Sequence, residues 1–336
     1  MISSNSPAAT DLMSSTEGRL KVRKLLAGSE IPLLVEAREA DTDPLAAIDD
    51  IRACAGRYLR QAGALLFRGF DIASGGGLQA FSAAFGAPLL SYEFGSTPRS
   101  KLAAGVYTST EYPPHQHIPL HNEQSYTRRW PLKIWFHCVQ PASTGGATPI
   151  ADSRAIYRLI DPALRQRFVD KGLMYIRNSG NGMDVPWTQV FNTSDRSVVE
   201  AYCRSNHISC EWKEDGELRT RQVCQAVARH PLTADMVWFN QAHLFHVSGL
   251  EPQLRETLLD IVDECDLPRN VYYGDGSVIE DSVLDEVRAV LESQKISFTW
   301  QKDDILMLDN MLVAHARSPF SGPRKVVVAM AQEHGA

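Results

Sequence analysis

The stretch IPLHNEQSY, residues 118–126, decides how the centre of this 336-residue chain is interpreted. His121 and Glu123 stand two positions apart in it, and residues i and i+2 of a strand point to the same face. An imidazole and a carboxylate can therefore converge on one ion from a strand, whereas a helix would separate them by about 200°. The HExxH pattern of helical zinc hydrolases is absent from the sequence. The stretch predicts a strand that presents two metal ligands.

A third ligand is expected near the C-terminus, in DNMLVAHARSPFSGPRKVVVAM at residues 309–330. His315 ends an apolar run there and is the candidate. Two histidines and one carboxylate leave three open positions on an octahedral ion, an arrangement that suits Fe(II) oxygenases. The same ligands could serve a zinc-type metal hydrolase, and a non-catalytic jelly-roll module that binds a small acid is a further alternative.

Short runs of apolar, aromatic and β-branched residues between turn residues predict a mainly β fold with helical additions. The strand predictions include 64–70, 133–139, 148–151, 235–239, 296–300, 304–308, 311–316 and 325–330. Helices are expected at 44–63 and 78–85, in an α-rich insertion at about 153–235, and at about 251–295. Many short strands favour a jelly-roll core. The alternative, a doubly wound α/β fold, usually carries a glycine-rich phosphate loop, and neither GxGxxG nor GxxxxGK[ST] occurs.

Composition narrows the class of protein. The net charge is −6 without a basic block, which argues against a nucleic-acid partner. The six cysteines form no CxxC pair and are typical of reduced thiols in a cytoplasmic protein. Residues 1–18 lack the architecture of a secretory signal and are interpreted as a disordered lead, and residues 19–336 as a single domain. No stretch is long and apolar enough to predict a membrane span.

Three motifs together resemble the TauD/TfdA family of 2-oxoglutarate dioxygenases. They are HNE at 121–123, GGATPIAD at 145–152 and HARSPFSGPRKVVVAM at 315–330. Within that family the sequence most resembles clavaminate-synthase-like enzymes and the amino-acid hydroxylases of syringomycin-type pathways, over about residues 64–330. The resemblance implies a double-stranded β-helix core, with His121, Glu123 and His315 as the catalytic iron ligands, and 2-oxoglutarate and O2 as co-substrates. Halogenating relatives replace the carboxylate with a small residue, so Glu123 argues against halogenation.

The resemblance also implies how 2-oxoglutarate is held. Arg324, nine residues beyond His315, matches the family's arginine for the distal carboxylate, and Thr148 matches its hydroxyl donor. A guanidinium suits this role because it can bind a carboxylate through two parallel hydrogen bonds. Arg317 is the rival, since it lies two positions from His315; it could instead be a surface residue or a second anion contact.

The implied substrate is an amino acid or an amino-acid derivative, either free or tethered to a carrier protein, in the biosynthesis of a specialised metabolite. The implied reaction is oxidation of an unactivated C–H bond by hydroxylation, with desaturation or cyclisation as the other outcomes. Six residues are candidate substrate contacts: Asn122, Gln124, Ser125, Arg99, Asn240 and Arg317. Each of them is also compatible with a purely structural role.

Overall fold

The computed structural model describes residues 15–335 except 40, 74–75, 92–98, 111, 181, 183–184 and 215. In this part of the chain the strands are β1 (Ser15–Glu17), β2 (Leu20–Lys24), β3 (Leu33–Ala37), β4 (Ala64–Arg68), β5 (Lys101–Ala103), β6 (Val106–Thr108), β7 (Ile118–His121), β8 (Arg129–Gln140), β9 (Thr144–Gly145), β10 (Ile150–Asp152), β11 (Leu173–Ser179), β12 (Ser209–Trp212), β13 (Leu218–Cys224), β14 (Val227–Arg229), β15 (Met236–Trp238), β16 (Arg269–Tyr273), β17 (Ile305–Asp309), β18 (Val313–Arg317), β19 (Phe320–Ser321) and β20 (Lys325–Gly335). The α-helices are α1 (Ile48–Ala62), α2 (Gly77–Ala83), α3 (Ser153–Leu159), α4 (Pro162–Lys171), α5 (Trp187–Val190), α6 (Arg196–Ser205), α7 (Ala242–Phe245), α8 (Pro252–Ile261) and α9 (Asp281–Ser293). Two 3-10 turns cover Val247–Gly249 and Glu264–Asp266.

The largest sheet has the order β1-β2-β3-β4-β17-β8-β20-β6-β5 and is antiparallel except for the β3–β4 pair. Its central strand, β17, has Ile305, Leu306, Met307 and Leu308 fully buried. Burying one such side chain stabilises a fold by roughly 1.5–3 kcal/mol, so this strand anchors the sheet. The described residues also form a four-stranded sheet, β12-β13-β11-β16, the two-stranded pairs β14-β15 and β19-β9, and one further sheet of three strands.

The three-stranded sheet β10-β18-β7 contributes to both hydrophobic cores of the protein. Successive residues of β18 face opposite sides, as strand geometry requires. Val313 packs in the core beneath the large sheet, and Ala314 in the core beneath the four-stranded sheet. Ile150 and Ala151 of β10 divide in the same way. The small sheet is therefore held from both sides.

Helix α1 shows how local sequence and packing agree. Its apolar residues recur every three or four positions, and Ile51, Tyr58 and Leu59 are buried. The helix ends at Gly63, which has a φ of 73° and donates its N–H to the Leu59 carbonyl. A Cβ at Gly63 would lie 2.5 Å from Cγ2 of Val313, so glycine is required both by the backbone and by the strand behind it.

The predicted mainly β architecture with added helices is confirmed, but several elements differ from prediction. The segment 153–235 contains α3–α6, as expected of a helical insertion, and also the unpredicted strands β11–β14. Strand β11 was not predicted because it buries the polar residues Arg177, Asn178 and Ser179. The sequence therefore lacks the alternation of apolar and polar residues that predicts a strand. Strand β16 interrupts the helices expected at 251–295. The strand predicted at 296–300 is wrong, since only Ile296 makes an isolated bridge, with Ile150.

Residues 1–14 of the predicted disordered lead lie outside the described residues, and Ser15–Glu17 pairs with β2. The described residues contain no helix that is both long and apolar enough to cross a membrane.

Candidate metal centre and adjoining cavities

Two histidines face each other across the β7–β18 ladder. His121, the last residue of β7, is the Cα partner of His315 in β18, and their ring centroids lie 4.4 Å apart. Phe136 of β8 packs against the His315 ring at 4.9 Å. The pairing of two strands, 194 positions apart in sequence at these residues, thus places two imidazoles side by side.

Glu123 completes the group. One ligand atom from each of His121, Glu123 and His315 lies within 4.8 Å of the others, and Oε2 of Glu123 is 4.0 Å from Nε2 of His315. The prediction that both ligands lie on one strand is wrong for Glu123. Strand β7 ends at His121, and Glu123 lies in the turn that follows. The predicted convergence of the three side chains is nevertheless present.

The donor set fits a divalent metal ion. Nδ1 of His121 donates a hydrogen bond to the Pro119 carbonyl at 2.8 Å, which leaves Nε2 with a free lone pair. Burial lowers the pKa of both imidazoles, most strongly that of His315, so both are neutral as ligation requires. Two neutral imidazoles and one carboxylate form the facial set that suits Fe(II).

The backbone of Glu123 is clamped by Asn310, which is fully buried between β17 and β18. Oδ1 of Asn310 accepts from the Glu123 N–H at 2.8 Å, and Nδ2 donates to the Glu123 carbonyl at 2.9 Å. Nδ2 also donates to the Pro131 carbonyl at 2.8 Å. Asn310 lies within the C-terminal motif, but its role was not predicted. An asparagine at a strand end, with its amide able to replace backbone partners, is the signal that could have indicated it.

Arg99 forms an ion pair with the Glu123 carboxylate. Its Nη2 lies 2.6 Å from Oε2 of Glu123, and both side chains are almost fully buried, at 3% and 5% exposed. Arg99 was predicted as a substrate contact. The structure brings it directly to the metal centre.

A cavity beside the histidines contains both predicted 2-oxoglutarate residues. His121, His315, Thr148 and Arg324 line it together. Nε of Arg324 donates to the Gly146 carbonyl at 3.0 Å, and none of the salt bridges between described residues involves this guanidinium. Burial, and then Arg317, lower the pKa of Arg324 to about 10. Thr148 is buried, and its Oγ1 accepts from Nε1 of Trp300 at 3.1 Å, which leaves the hydroxyl proton available.

Arg317 holds a loop. Its guanidinium donates to the carbonyls of Tyr112, Pro113 and Gln116 at 2.7–2.9 Å, and more weakly to that of Thr110 at 3.4 Å. It lines the same cavity as Arg324, but most of its donors are used by the segment that precedes β7. This arrangement favours Arg324 over Arg317 for the distal carboxylate.

A second cavity adjoins the first, and the two share Arg99 and His121 in their walls. Its polar lining includes Glu123, Gln241, Arg269, Tyr112 and His117. Leu244 and Phe245 supply apolar surface. The second cavity thus reaches the carboxylate side of the metal centre and has two arginines, Arg99 and Arg269, in its wall.

Sequence comparison places this geometry in a family. The family described as "Taurine catabolism dioxygenase TauD, TfdA family" matches residues 27–330, nearly the whole described chain. The chain belongs to the TauD/TfdA family. The class predicted from the sequence, an iron- and 2-oxoglutarate-dependent dioxygenase, is thereby confirmed, with the His-Glu-His group in place to hold the metal.

Individual TauD/TfdA relatives are similar over most of their length. The dapdiamide synthesis protein DdaC of Enterobacter agglomerans is 42% identical over 92% of this chain and 93% of its own. A clavaminate synthase-like protein of Arabidopsis thaliana is 32% identical over 81% and 82% of the two chains. The solved structure of PvcB from Pseudomonas aeruginosa has the same fold, with a TM-score of 0.55 at 17% identity over 94% and 92% of the chains.

The other four predicted substrate contacts lie outside both cavities of this TauD/TfdA protein. The Asn122 amide donates to the Asn310 carbonyl and to Ser153 Oγ, and Ser125 Oγ donates to the Asn122 carbonyl. Asn240 is bound to the backbone of Ala226 and Ala242. Gln124 lines a separate cavity near Arg128 and Trp130. These four side chains shape the region around the metal centre rather than its interior.

Two residues after β15 donate hydrogen bonds to the backbone of β7 and of the residue that follows it. Nε2 of Gln241 donates to the Asn122 carbonyl, and Nε2 of His243 donates to the Leu120 carbonyl, both at 2.8 Å. Burial lowers the pKa of His243 to about 4, so the ring is neutral. Arg269, which lines the second cavity, was not predicted as a site residue, because the strand that carries it, β16, was not predicted either.

Proposed function

We propose that this TauD/TfdA protein is an Fe(II)- and 2-oxoglutarate-dependent oxygenase that oxidises an unactivated C–H bond of an amino acid or amino-acid-derived substrate. The observation that carries the proposal is the His121–Glu123–His315 group, in which Glu123 and His315 are buried, with the Arg324 guanidinium in the adjoining cavity. The bound iron would couple oxidative decarboxylation of 2-oxoglutarate to substrate oxidation, so that substrate, 2-oxoglutarate and O2 yield hydroxylated substrate, succinate and CO2.

The chain's own residues position the co-substrate. Arg324 binds the distal carboxylate of 2-oxoglutarate, and the Thr148 hydroxyl donates to the same group. A carboxylate is the expected partner because it neutralises a cation that burial has destabilised. Arg317 donates to the carbonyls of Tyr112, Pro113 and Gln116 in the segment before β7, so most of its donors are already used.

The second cavity receives the substrate. Arg99 and Arg269 favour a substrate with an acidic group, and Gln241 offers an amide for its polar atoms. The relative DdaC, a dapdiamide synthesis protein, supports a role in specialised-metabolite biosynthesis. The substrate enters as a free acid or on a carrier protein, and hydroxylation, desaturation and cyclisation are the three outcomes to be distinguished.

Membership of the family also supports a proposal for the core, the domain organisation and the location of this protein. The core is a double-stranded β-helix of the jelly-roll type within one oxygenase domain, to which the 153–235 segment is an insertion. Six free cysteines, among them the buried Cys54, Cys138, Cys203 and Cys224, support a reducing cytoplasmic location.

The test is substrate-dependent succinate release. Purified protein with Fe(II), ascorbate and 2-oxoglutarate is incubated with free amino acids and their amide and acyl derivatives, and succinate is measured. The proposal expects stimulation by at least one compound with Fe(II), inhibition by Zn(II), and loss in a Glu123→Ala variant. Hydrolysis products without succinate, supported by Zn(II), would favour the metal-hydrolase alternative.

A further inference from the structure

The Arg99–Glu123 ion pair lies inside the metal centre itself. Nη2 of Arg99 contacts Oε2 of Glu123 at 2.6 Å, and the same oxygen is the one that lies 4.0 Å from Nε2 of His315. Oε2 is therefore both the acceptor of the guanidinium and the carboxylate atom near the His315 imidazole. A guanidinium and a divalent ion both draw on the negative charge of this one oxygen, so the two compete for it.

Charge and burial make this competition strong. The two side chains are 3% and 5% exposed, so water screens their interaction very little. In the metal-free protein the guanidinium compensates a carboxylate that would otherwise be buried without a partner. A divalent ion at the same place is a stronger compensating charge, and it also repels the guanidinium.

Arg99 also lies where it would be useful after displacement. It lines both the cavity that contains Arg324 and the cavity that contains Arg269. A guanidinium released from Glu123 can stay in this shared wall and bind an anion from either side. The acidic group of a substrate is the anion expected on the Arg269 side.

We infer that Arg99 is a positioning residue that exchanges partners: it holds Glu123 in the metal-free protein, and metal loading frees it to bind an acidic group. This inference depends on the metal site of the proposed function, but it adds an order of events. Metal binds first, at the expense of the ion pair, and the anion-binding cation becomes available only afterwards. Arg99 therefore weakens metal binding, the opposite of what a supporting residue does.

The experiment measures Mn(II) affinity without 2-oxoglutarate or turnover. The wild type is compared with Arg99→Gln, with Arg99→Lys and with Arg269→Gln, which removes a cation from the same cavity but leaves Glu123 alone. We expect Arg99→Gln to bind Mn(II) about tenfold more tightly, equivalent to ~1.4 kcal/mol. Arg99→Lys should bind more tightly by a smaller factor, and Arg269→Gln should match the wild type.

Thermal unfolding gives a second readout. Metal-free Arg99→Gln should melt below the metal-free wild type, because it leaves Glu123 buried and unpaired. Saturation with Mn(II) should remove most of that difference. If metal-free Arg99→Gln does not fold, the Mn(II) affinity of Arg99→Lys is compared with that of the wild type, and tighter binding in the variant supports the exchange of partners.

The outcomes separate this inference from the proposed function. Weaker or unchanged Mn(II) binding in both Arg99 variants, with a wild type that binds Mn(II), overturns the exchange of partners and leaves the oxygenase proposal intact. Failure of the wild type and of every variant to bind Mn(II) overturns both.

Discussion

His121 and His315 are direct partners in the antiparallel β7–β18 ladder, with ring centroids 4.4 Å apart. Because the two strands hold the rings in place, removing either ring should abolish the site without disturbing the sheet. We expect His315→Ala to lose Fe(II) binding, as measured by anaerobic equilibrium dialysis. His117→Ala, which removes an exposed histidine from the wall of the second cavity, is the matched control and should keep the metal. Retention of Fe(II) in His315→Ala would show that the ion is held elsewhere.

Asn310→Ala should weaken metal binding and destabilise the fold together. The substitution leaves the Glu123 N–H and the carbonyls of Glu123 and Pro131 without their buried partner. Each orphaned group costs roughly 1–3 kcal/mol, so we expect a loss of about 3–5 kcal/mol in urea unfolding. Metal affinity should fall because the backbone of a ligand is released.

Asn178→Ala provides the control for that prediction. Asn178 is equally buried, donates to the Cys265 and Leu267 carbonyls and accepts from Arg219, but lies in β11 away from the metal ligands. It should cost similar stability and leave metal affinity unchanged. Equal effects of the two substitutions on metal affinity would contradict a specific role for Asn310.

Arg324→Lys should weaken 2-oxoglutarate binding by about 10–100-fold, because an ammonium keeps the charge but cannot donate two parallel hydrogen bonds. The measurement is the Kd of 2-oxoglutarate for the Fe(II) protein. Lys325→Gln, at the exposed neighbouring position, should bind normally. An unaffected Kd in Arg324→Lys would favour Arg317 as the residue that binds the distal carboxylate.

The affinity for 2-oxoglutarate should also depend on alkaline pH. Burial lowers the pKa of Arg324 to about 10, and only the protonated guanidinium attracts a carboxylate. Binding should therefore be constant from neutral pH to about 9 and weaken as pH rises through about 10. Bound 2-oxoglutarate raises the pKa of Arg324, so binding near pH 10 should take up protons, which calorimetry in buffers of different ionisation enthalpy detects. No proton uptake at that pH would contradict the assignment.

The candidate metal ligands could be predicted because they are residues of metal-binding type at recognisable positions in the sequence. His121 and Glu123 are separated by two positions, and His315 follows an apolar run, and the family resemblance joined these individually weak patterns into one candidate site. Arg324 and Thr148 came from resemblance alone, and the structure places both in the cavity beside the histidines.

The contacts around the candidate ligands could not be predicted, because side chains alternate between two faces only as far as the strand extends. Gln124 has a φ of 56°, which turns the chain after His121 and breaks the alternation of faces. Asn122 and Ser125 therefore point into internal hydrogen bonds instead of a cavity. Asn310 and Arg269 depend on long-range pairing of β17, β18 and β16, which no short pattern in the sequence encodes.

The most direct test of the central claim is an anaerobic titration of 2-oxoglutarate into the Fe(II) protein. Chelation of iron by the keto-acid end should produce a visible metal-to-ligand charge-transfer band that saturates with 2-oxoglutarate. The band should be absent from His315→Ala and should require more 2-oxoglutarate in Arg324→Lys. A wild-type protein that binds Fe(II) but shows no band at saturating 2-oxoglutarate would contradict the account.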